Sequence, residues 1–84
     1  MKITMTTTRL EKKTKTTYKE VDQEVEEINE EQYRNILDSV SWFRNLGGSE
    51  RITKNYTKYG YIAIKLVSTS PDKENKTVRI FEFR

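Results

Sequence analysis

The chain has 84 residues, so the sequence predicts a single domain, residues 1–84, with a core small enough that a homodimer would help its stability. It contains no cysteine and no histidine, which excludes disulfides, thiolate chemistry, zinc sites and histidine-based catalytic triads. The net charge of +3 is unevenly placed, because residues 20–31 contain seven acidic and no basic residues while the flanking segments are basic.

Several functional classes are disfavoured by the same composition. No apolar run reaches the length of a membrane span, and the N-terminus lacks the hydrophobic region of a signal peptide. We therefore expect a cytoplasmic protein that does not contact a membrane. No set of acid, base and nucleophile can be named, so we expect neither an enzyme nor a bound cofactor or metal.

The N-terminal third predicts a β-hairpin. Residues 2–9 are β-branched and alternate as in a strand. Leu10 to Lys13 is predicted to be the turn. Residues 14–27 then predict a long second strand with a bend or bulge.

Period-two alternation in the second strand places four carboxylates on one face, opposite Val21, Gln23 and Val25. These carboxylates, an acidic ladder, are Glu20, Asp22, Glu24 and Glu26. Three interpretations remain open. The carboxylates pair with cations on adjacent strands and are otherwise solvated, or they mimic phosphates and bind a basic protein surface, or they hold a divalent metal for hydrolysis.

The segment from Ile28 to Glu50 predicts a helix with both ends marked. Asn29 is a good N-cap, and Gln32 three residues later completes a capping-box pattern. Gly47 suits the left-handed position that follows a last helical turn. At about 100° per residue, the apolar residues on the predicted core side are Tyr33, Ile36, Leu37 and Val40.

Trp42 and Leu46 lie on the side of the predicted helix away from Tyr33. Either the last turn tucks under the following hairpin and buries both, or the pair forms an apolar spot that anchors a protein partner. Gly47 and Gly48 do not indicate a phosphate loop, because they follow the helix, where carbonyl groups face the loop.

Three more strands are predicted after the helix. They are Glu50–Tyr56, Tyr61–Thr69 and Lys76–Phe83. The second of these is apolar on both faces, which is typical of a central position. In the last, Val78 and Ile80 alternate against Phe81 and Phe83 with a parity break that indicates a bulge. The predicted fold is therefore α+β, in the order β-β-α-β-β-β, with a mainly antiparallel sheet and the helix packed on one face.

Residues 51–61, RITKNYTKYGY, interleave tyrosines with cations. Such a pattern can stack bases and neutralise phosphates. The residues concerned are Arg51, Lys54, Tyr56, Lys58, Tyr59 and Tyr61, and Arg44, Lys65 and Arg79 would extend the patch. The alternative is structural: hairpin tyrosines commonly pack across strands, and lysines commonly protect edges.

The C-terminal half resembles a recurring type of short bacteriophage or prophage protein to which no activity is attached. The matching segments are Phe43–Glu50, Tyr56–Thr57, Gly60–Tyr61, Leu66–Asp72 and Lys76–Arg79. The resemblance implies a phage context, in which proteins of this size are inhibitors or adaptors of host machinery, including anti-defence proteins. It transfers no functional residue.

The leading hypothesis is accordingly a non-enzymatic accessory protein that binds a host or phage protein through the acidic ladder and the apolar spot. The alternative is a nucleic-acid-binding protein that uses residues 51–61, here termed the basic tyrosine hairpin. Its affinity for nucleic acid would fall steeply with salt. A third hypothesis is a virion assembly subunit, in which open sheet faces and edges stack.

Overall fold

Five strands and one helix make up the structure, a computed structural model that describes the backbone of residues 2–44 and 49–84 and the side chains of residues 2–39 and 51–84. In chain order the elements are β1 (Ile3–Lys12), β2 (Tyr18–Ile28), α1 (Glu30–Arg44), β3 (Ser49–Tyr56), β4 (Ile62–Thr69) and β5 (Asn75–Phe83). All strand pairings are antiparallel. The predicted α+β class with an antiparallel sheet is confirmed.

The strands form one sheet in the order β2-β1-β5-β4-β3. Hairpins join β1 to β2, β3 to β4 and β4 to β5, while α1 connects the two edge strands β2 and β3. The N-terminal strand β1 pairs with the C-terminal strand β5, which is therefore the middle strand. β4, the strand with apolar residues on both faces, lies inside the sheet beside β5.

The core lies between α1 and one face of the sheet. Its buried hydrophobic residues are Ile3, Met5, Ile28, Leu66 and Phe81. From the helix, Tyr33, Ile36 and Leu37 pack against this cluster. These are three of the four residues assigned to the core side of the helix, and the fourth, Val40, lies outside the described side chains.

The helix begins as its N-terminal sequence predicts. Asn29 Oδ1 accepts a hydrogen bond from the backbone N–H of Gln32 at 2.8 Å, and Gln32 Oε1 accepts from the N–H of Asn29 at 3.0 Å. These reciprocal bonds are a capping box, which satisfies backbone donors that have no partner within the helix. Glu30 and Glu31 add negative charge at the positive end of the helix dipole.

Two local predictions are wrong. β1 continues through the predicted turn at Leu10 to Lys12, because its last residues pair with both β2 and β5. The turn lies after it, where the N–H of Lys13 donates to the carbonyl of Thr17 at 2.9 Å. β5 contains no bulge, since its register with β1 and β4 runs without a shift. Val78 and Ile80 simply point away from Phe81.

Residues paired across an antiparallel ladder point to the same side of the sheet, so the register assigns each residue to one of two faces. The helix face is the one that carries the buried Ile3, Met5, Leu66 and Phe81. The open face is the opposite one. Its central residues are Thr6, Thr8, Val78, Ile80, Lys65 and Val67.

Candidate protein-binding surface

β2 is an edge strand of 11 residues, and every residue from Lys19 to Glu27 is exposed. Within the part of the chain that the structure describes, it pairs with β1 alone, and no strand covers its outer side. An uncovered edge presents a row of backbone N–H and C=O groups to which another strand can add. β2 is therefore an accessible surface for a protein partner.

Three carboxylates of β2 lie on the helix face, where they are exposed and outside the hydrophobic core. They are Asp22, Glu24 and Glu26, here termed the acidic edge. Successive members are two residues apart, about 7 Å along the strand. The three charges therefore reinforce one another as a single anionic surface.

The acidic edge has one cation among the described side chains. Arg9 on β1 contacts Asp22, with 2.9 Å between Arg9 Nη1 and Asp22 Oδ2. Glu24 and Glu26 form no ion pair within the described residues. The structural interpretation expected carboxylates that pair with cations on adjacent strands and are otherwise solvated. Asp22 is paired in this way, and the exposed Glu24 and Glu26 are solvated, which the same interpretation allows.

Glu20 does not belong to this surface. The register between β1 and β2 shifts at Arg9 and Leu10, where Arg9 pairs with Asp22 but Leu10 pairs with Glu20. Val21 is the extra residue of a β-bulge, and such a bulge reverses the alternation of side chains beyond it. Glu20 therefore lies on the open face with Leu10. The prediction of a bulge in β2 is confirmed, but the prediction that all four carboxylates share one face is wrong.

Apolar side chains accompany the carboxylates on β2. Val21 and Val25 are 53% and 64% exposed, which is high for β-branched residues in a strand. Gln23 lies between them and donates from Nε2 to Thr8 Oγ1 at 3.0 Å. From the sequence, the two valines were predicted to lie on the face opposite the acidic ladder. The alternation of β2 already predicted which side of the strand the valines occupy. That they are exposed became clear only once β2 was found at the edge of the sheet.

The basic tyrosine hairpin is divided by the sheet. Lys54 and Tyr56 lie on the helix face, whereas Arg51 lies on the open face, and Tyr61 comes just before β4 begins. Lys58 and Tyr59 are in the turn that joins β3 to β4. The six residues predicted to bind nucleic acid therefore surround the end of a hairpin and do not form one continuous track.

The tyrosines of this hairpin are nonetheless exposed and accompanied by cations. Tyr56 and Tyr59 are 68% and 72% exposed, and Tyr61 is 43% exposed. Lys58 Nζ lies 5.0 Å from the centroid of the Tyr59 ring, and the guanidinium carbon of Arg84 lies 5.9 Å from that of Tyr61. Such cation–π contacts leave one ring face free to stack.

A shallow groove of about 330 Å³ runs between the helix and the β3–β4 hairpin on the helix face. It is lined by Tyr33, Lys54, Ile62, Ile64 and Phe83. Burial raises the pKa of the Tyr33 hydroxyl, because its ionised form would lose hydration. The lining is apolar apart from the hydroxyl of Tyr33 and the ammonium of Lys54.

The structure describes only some of the remaining predicted residues. The apolar spot of Trp42 and Leu46, like Arg44, lies outside the described side chains. Lys65 is exposed on the open face. Arg79 is half-buried on the helix face, where burial and the nearby Arg9 guanidinium lower its pKa.

Two further observations bear on the class of protein. Among the residues described, no helix has both the length and the apolar character to cross a membrane. In the same residues, no three acidic side chains are close enough together to hold a metal ion. Comparison with known proteins finds no matching family model, no similar curated protein and no similar solved structure.

Proposed function

We propose that this chain is a non-enzymatic phage or prophage accessory protein, an inhibitor or adaptor that binds a host or phage protein in the cytoplasm. The observation that carries the proposal is the free edge of β2, which combines an uncovered backbone, the acidic edge and exposed valines. The phage context comes from the resemblance of the C-terminal half.

The backbone groups and side chains of β2 indicate what kind of protein would bind there. Unpaired backbone groups accept a strand from another chain, and the exposed Val21 and Val25 supply apolar contact. The acidic edge rejects another acidic strand and attracts lysine or arginine, so it selects a basic strand or a basic, nucleic-acid-binding surface. Glu24 and Glu26 are best placed for this role, since Asp22 is already held by Arg9.

The test compares three forms of the protein as bait for host and phage proteins. The binding variant carries Asp22→Asn, Glu24→Gln and Glu26→Gln, which removes the charge of the acidic edge and keeps its shape. The matched control carries Glu31→Gln, Asp38→Asn and Glu74→Gln, which removes the same charge from exposed sites elsewhere. A partner retained by the wild type and the control but lost by the binding variant supports the proposal. Equal retention by all three forms contradicts it.

A second candidate function, nucleic-acid binding, rests on the exposed tyrosines and neighbouring cations of the β3–β4 hairpin. Single-stranded nucleic acid suits this surface best, because unpaired bases can stack on Tyr56 or Tyr59 while Lys54 and Lys58 neutralise phosphates. The division of the hairpin between two faces limits the site to a few nucleotides.

Titration of labelled single- and double-stranded oligonucleotides at low and physiological salt tests this candidate. Binding tighter than the nonspecific range of about 10⁻⁴ to 10⁻⁶ M at physiological salt supports it. Tyr59→Ala should then weaken binding more than Tyr18→Ala, since Tyr18 is engaged by Lys76 and donates its hydroxyl proton to the carbonyl of Lys73. Absence of binding at low salt removes the candidate.

The virion assembly hypothesis is less well supported by this geometry. Two edge strands can pair only if their charges do not repel. The carboxylates of β2 repel those of a second copy of β2.

A further inference from the structure

We propose that β3 of one copy of this chain adds to β2 of another, so that copies join edge to edge into a continuous sheet. The inference rests on the proposed function, because it takes β2 as an edge that accepts a basic strand, and it names that strand. β2 and β3 are the two edge strands of the sheet, and within the described residues no further strand covers either of them. Both edges therefore offer free backbone groups for pairing.

The exposed apolar side chains of the two edge strands have matching positions. Val21 and Val25 of β2 and Ile52 and Tyr56 of β3 are each more than half exposed. The members of each pair are four residues apart, so their spacing along the two strands is the same. Val25 lies on the open face, and Val21, next to Asp22, alternates onto that face too. The two apolar residues of β3 lie on the helix face.

One antiparallel register brings these four side chains together. When Ile52 lies opposite Val25, Tyr56 lies opposite Val21. Residues opposite each other in an antiparallel pair point to the same side. The second copy is therefore turned over, so that its helix lies on the other side of the joint sheet. Each exposed apolar residue of β3 then covers one of β2.

The same register gives each carboxylate of the acidic edge a hydrogen-bond donor. The facing pairs are Glu26 with Arg51, Glu24 with Thr53 and Asp22 with Asn55. A guanidinium, a hydroxyl and a side-chain amide can all donate to a carboxylate. Lys54 lies opposite Gln23, whose Nε2 already donates to Thr8 and leaves its oxygen to accept. Polar and charged complementarity along the whole strand therefore selects β3 as the occupant of this edge.

One pair of like charges remains in this register, Glu50 with Glu27. Lys2 lies 3.0 Å from Glu27 and offsets its charge. The pairing ends where β3 ends, so Lys58 in the turn that follows is not opposed to Lys19. The repulsion that keeps two copies of β2 apart does not arise between β2 and β3.

The pairing joins two different edges, so it is heterologous and open-ended. A copy that binds through β3 keeps its own β2 free, and the copy that accepts it keeps its β3 free. Successive copies are related by a half turn about an axis in the sheet and perpendicular to the strands, which places their helices on alternate sides. A basic strand of a protein partner would compete for β2 and stop growth there.

Sedimentation of the full chain from about micromolar to about millimolar concentration tests the proposal. We expect the average mass of wild type to rise with concentration and to pass beyond that of a dimer. Arg51→Glu and Glu26→Arg each place like charges opposite one another, so each variant alone should associate about tenfold or more weakly. Arg34→Glu is the matched control, because it makes the same charge reversal on the exposed side of α1 and should associate like wild type.

A mixture of the two variants provides the decisive comparison. Mixed in equal amounts, Arg51→Glu and Glu26→Arg chains should associate again, because β3 of each meets the opposite charge on β2 of the other. A chain that carries both substitutions should associate for the same reason, and circular dichroism checks that each form is folded. A monomeric wild type, association that stops at a dimer, an Arg51→Glu chain that associates like wild type, or folded variants that fail to associate when mixed overturns the proposal.

The capture experiment separates this proposal from the proposed function. Arg51→Glu leaves β2 unchanged, so this form should retain the same protein partner as wild type. A chain that captures a partner but does not associate with itself overturns only the self-association. A chain that associates with itself but captures no partner overturns only the proposed function.

Discussion

Tyr33 of α1 meets Phe81 of the middle strand β5 edge to face, with ring centroids 4.9 Å apart and ring planes at 77°. The same tyrosine makes a second edge contact with Phe83, at 5.1 Å and 89°. One helical residue thus contacts two aromatic rings of the strand that pairs with both β1 and β4. This cluster joins the helix to the middle of the sheet.

We predict a measurable coupling between Tyr33 and Phe81. A double-mutant cycle with Tyr33→Leu and Phe81→Leu should give a coupling free energy of about 0.5–1.5 kcal/mol, as aromatic pairs of this geometry do. Urea denaturation followed by circular dichroism measures it. Tyr59→Leu, at an exposed turn, serves as control and should change the free energy of unfolding by less than about 0.5 kcal/mol. Additive effects of the two core substitutions would show that the ring geometry is incidental.

A second prediction concerns the capping box. Asn29→Ala removes the acceptor for the N–H of Gln32 and should lower the free energy of unfolding by about 1 kcal/mol. Asn29→Asp keeps an acceptor at that position and should keep most of the stability. Asn35→Ala provides the control, because it exchanges an exposed mid-helix asparagine for a better helix former. Equal losses for Asn29→Ala and Asn35→Ala would contradict the capping role.

The capping box also shows why this part of the fold was predictable. The start of a helix is determined by side chains only a few residues apart. Here they are Asn29 and Gln32, so the start can be predicted from the local sequence alone. The turn between β1 and β2 was misplaced for the opposite reason. Leu10 to Lys12 resemble a turn in isolation, but pairing with β2 on one side and β5 on the other extends the strand through them.

The sequence predicted the charges of the candidate site but not their arrangement, because the arrangement depends on pairing with distant segments. The acidic character of β2 is visible in the sequence, and so is the alternation of Asp22, Glu24 and Glu26. The position of the bulge is not, because it depends on how β2 aligns with Arg9 and Leu10. The edge position of β2 is not visible in the sequence either, because the strand order is set by pairing between segments that are distant in the chain. The sequence pattern therefore identified the charges without showing that Glu20 points the other way.

A third prediction concerns the acid side of the pH–stability curve. Hydrogen bonds from Ser70 Oγ at 2.6 Å and from the N–H of Glu74 at 2.9 Å lower the pKa of Asp72 below its ordinary value. The unfolded chain takes up this proton first as the pH falls through about 3.9. Asp72 therefore contributes stability above that pH, and the contribution is lost as the pH falls through the lowered pKa of the folded state.

Asp72→Asn should accordingly flatten the curve between about pH 5 and pH 3, a window set by the ordinary aspartate pKa and the direction of its shift. The amide keeps an acceptor for Ser70 and Glu74 but does not titrate there. Thermal unfolding of both forms across this window measures the difference, which should be small because Asp72 is exposed. Asn35→Ala, on the exposed side of the helix, is the control, because it changes no titratable group and should leave the curve parallel to that of wild type. Parallel curves for Asp72→Asn would contradict the prediction.

The last prediction separates backbone strain from steric fit at the turn of the tyrosine hairpin. Gly60 has φ of +87°, and its N–H donates to the carbonyl of Thr57 at 2.9 Å. A methyl group added there would meet no heavy atom within 4 Å apart from those of Gly60 and its two chain neighbours. Gly60→Ala should therefore lower the free energy of unfolding by about 1–2 kcal/mol through the left-handed conformation alone. Gly60→Asn should cost less, since asparagine tolerates this conformation better than alanine. Chemical denaturation ranks the three forms, and an alanine variant as stable as wild type would show that the turn adopts another conformation in solution.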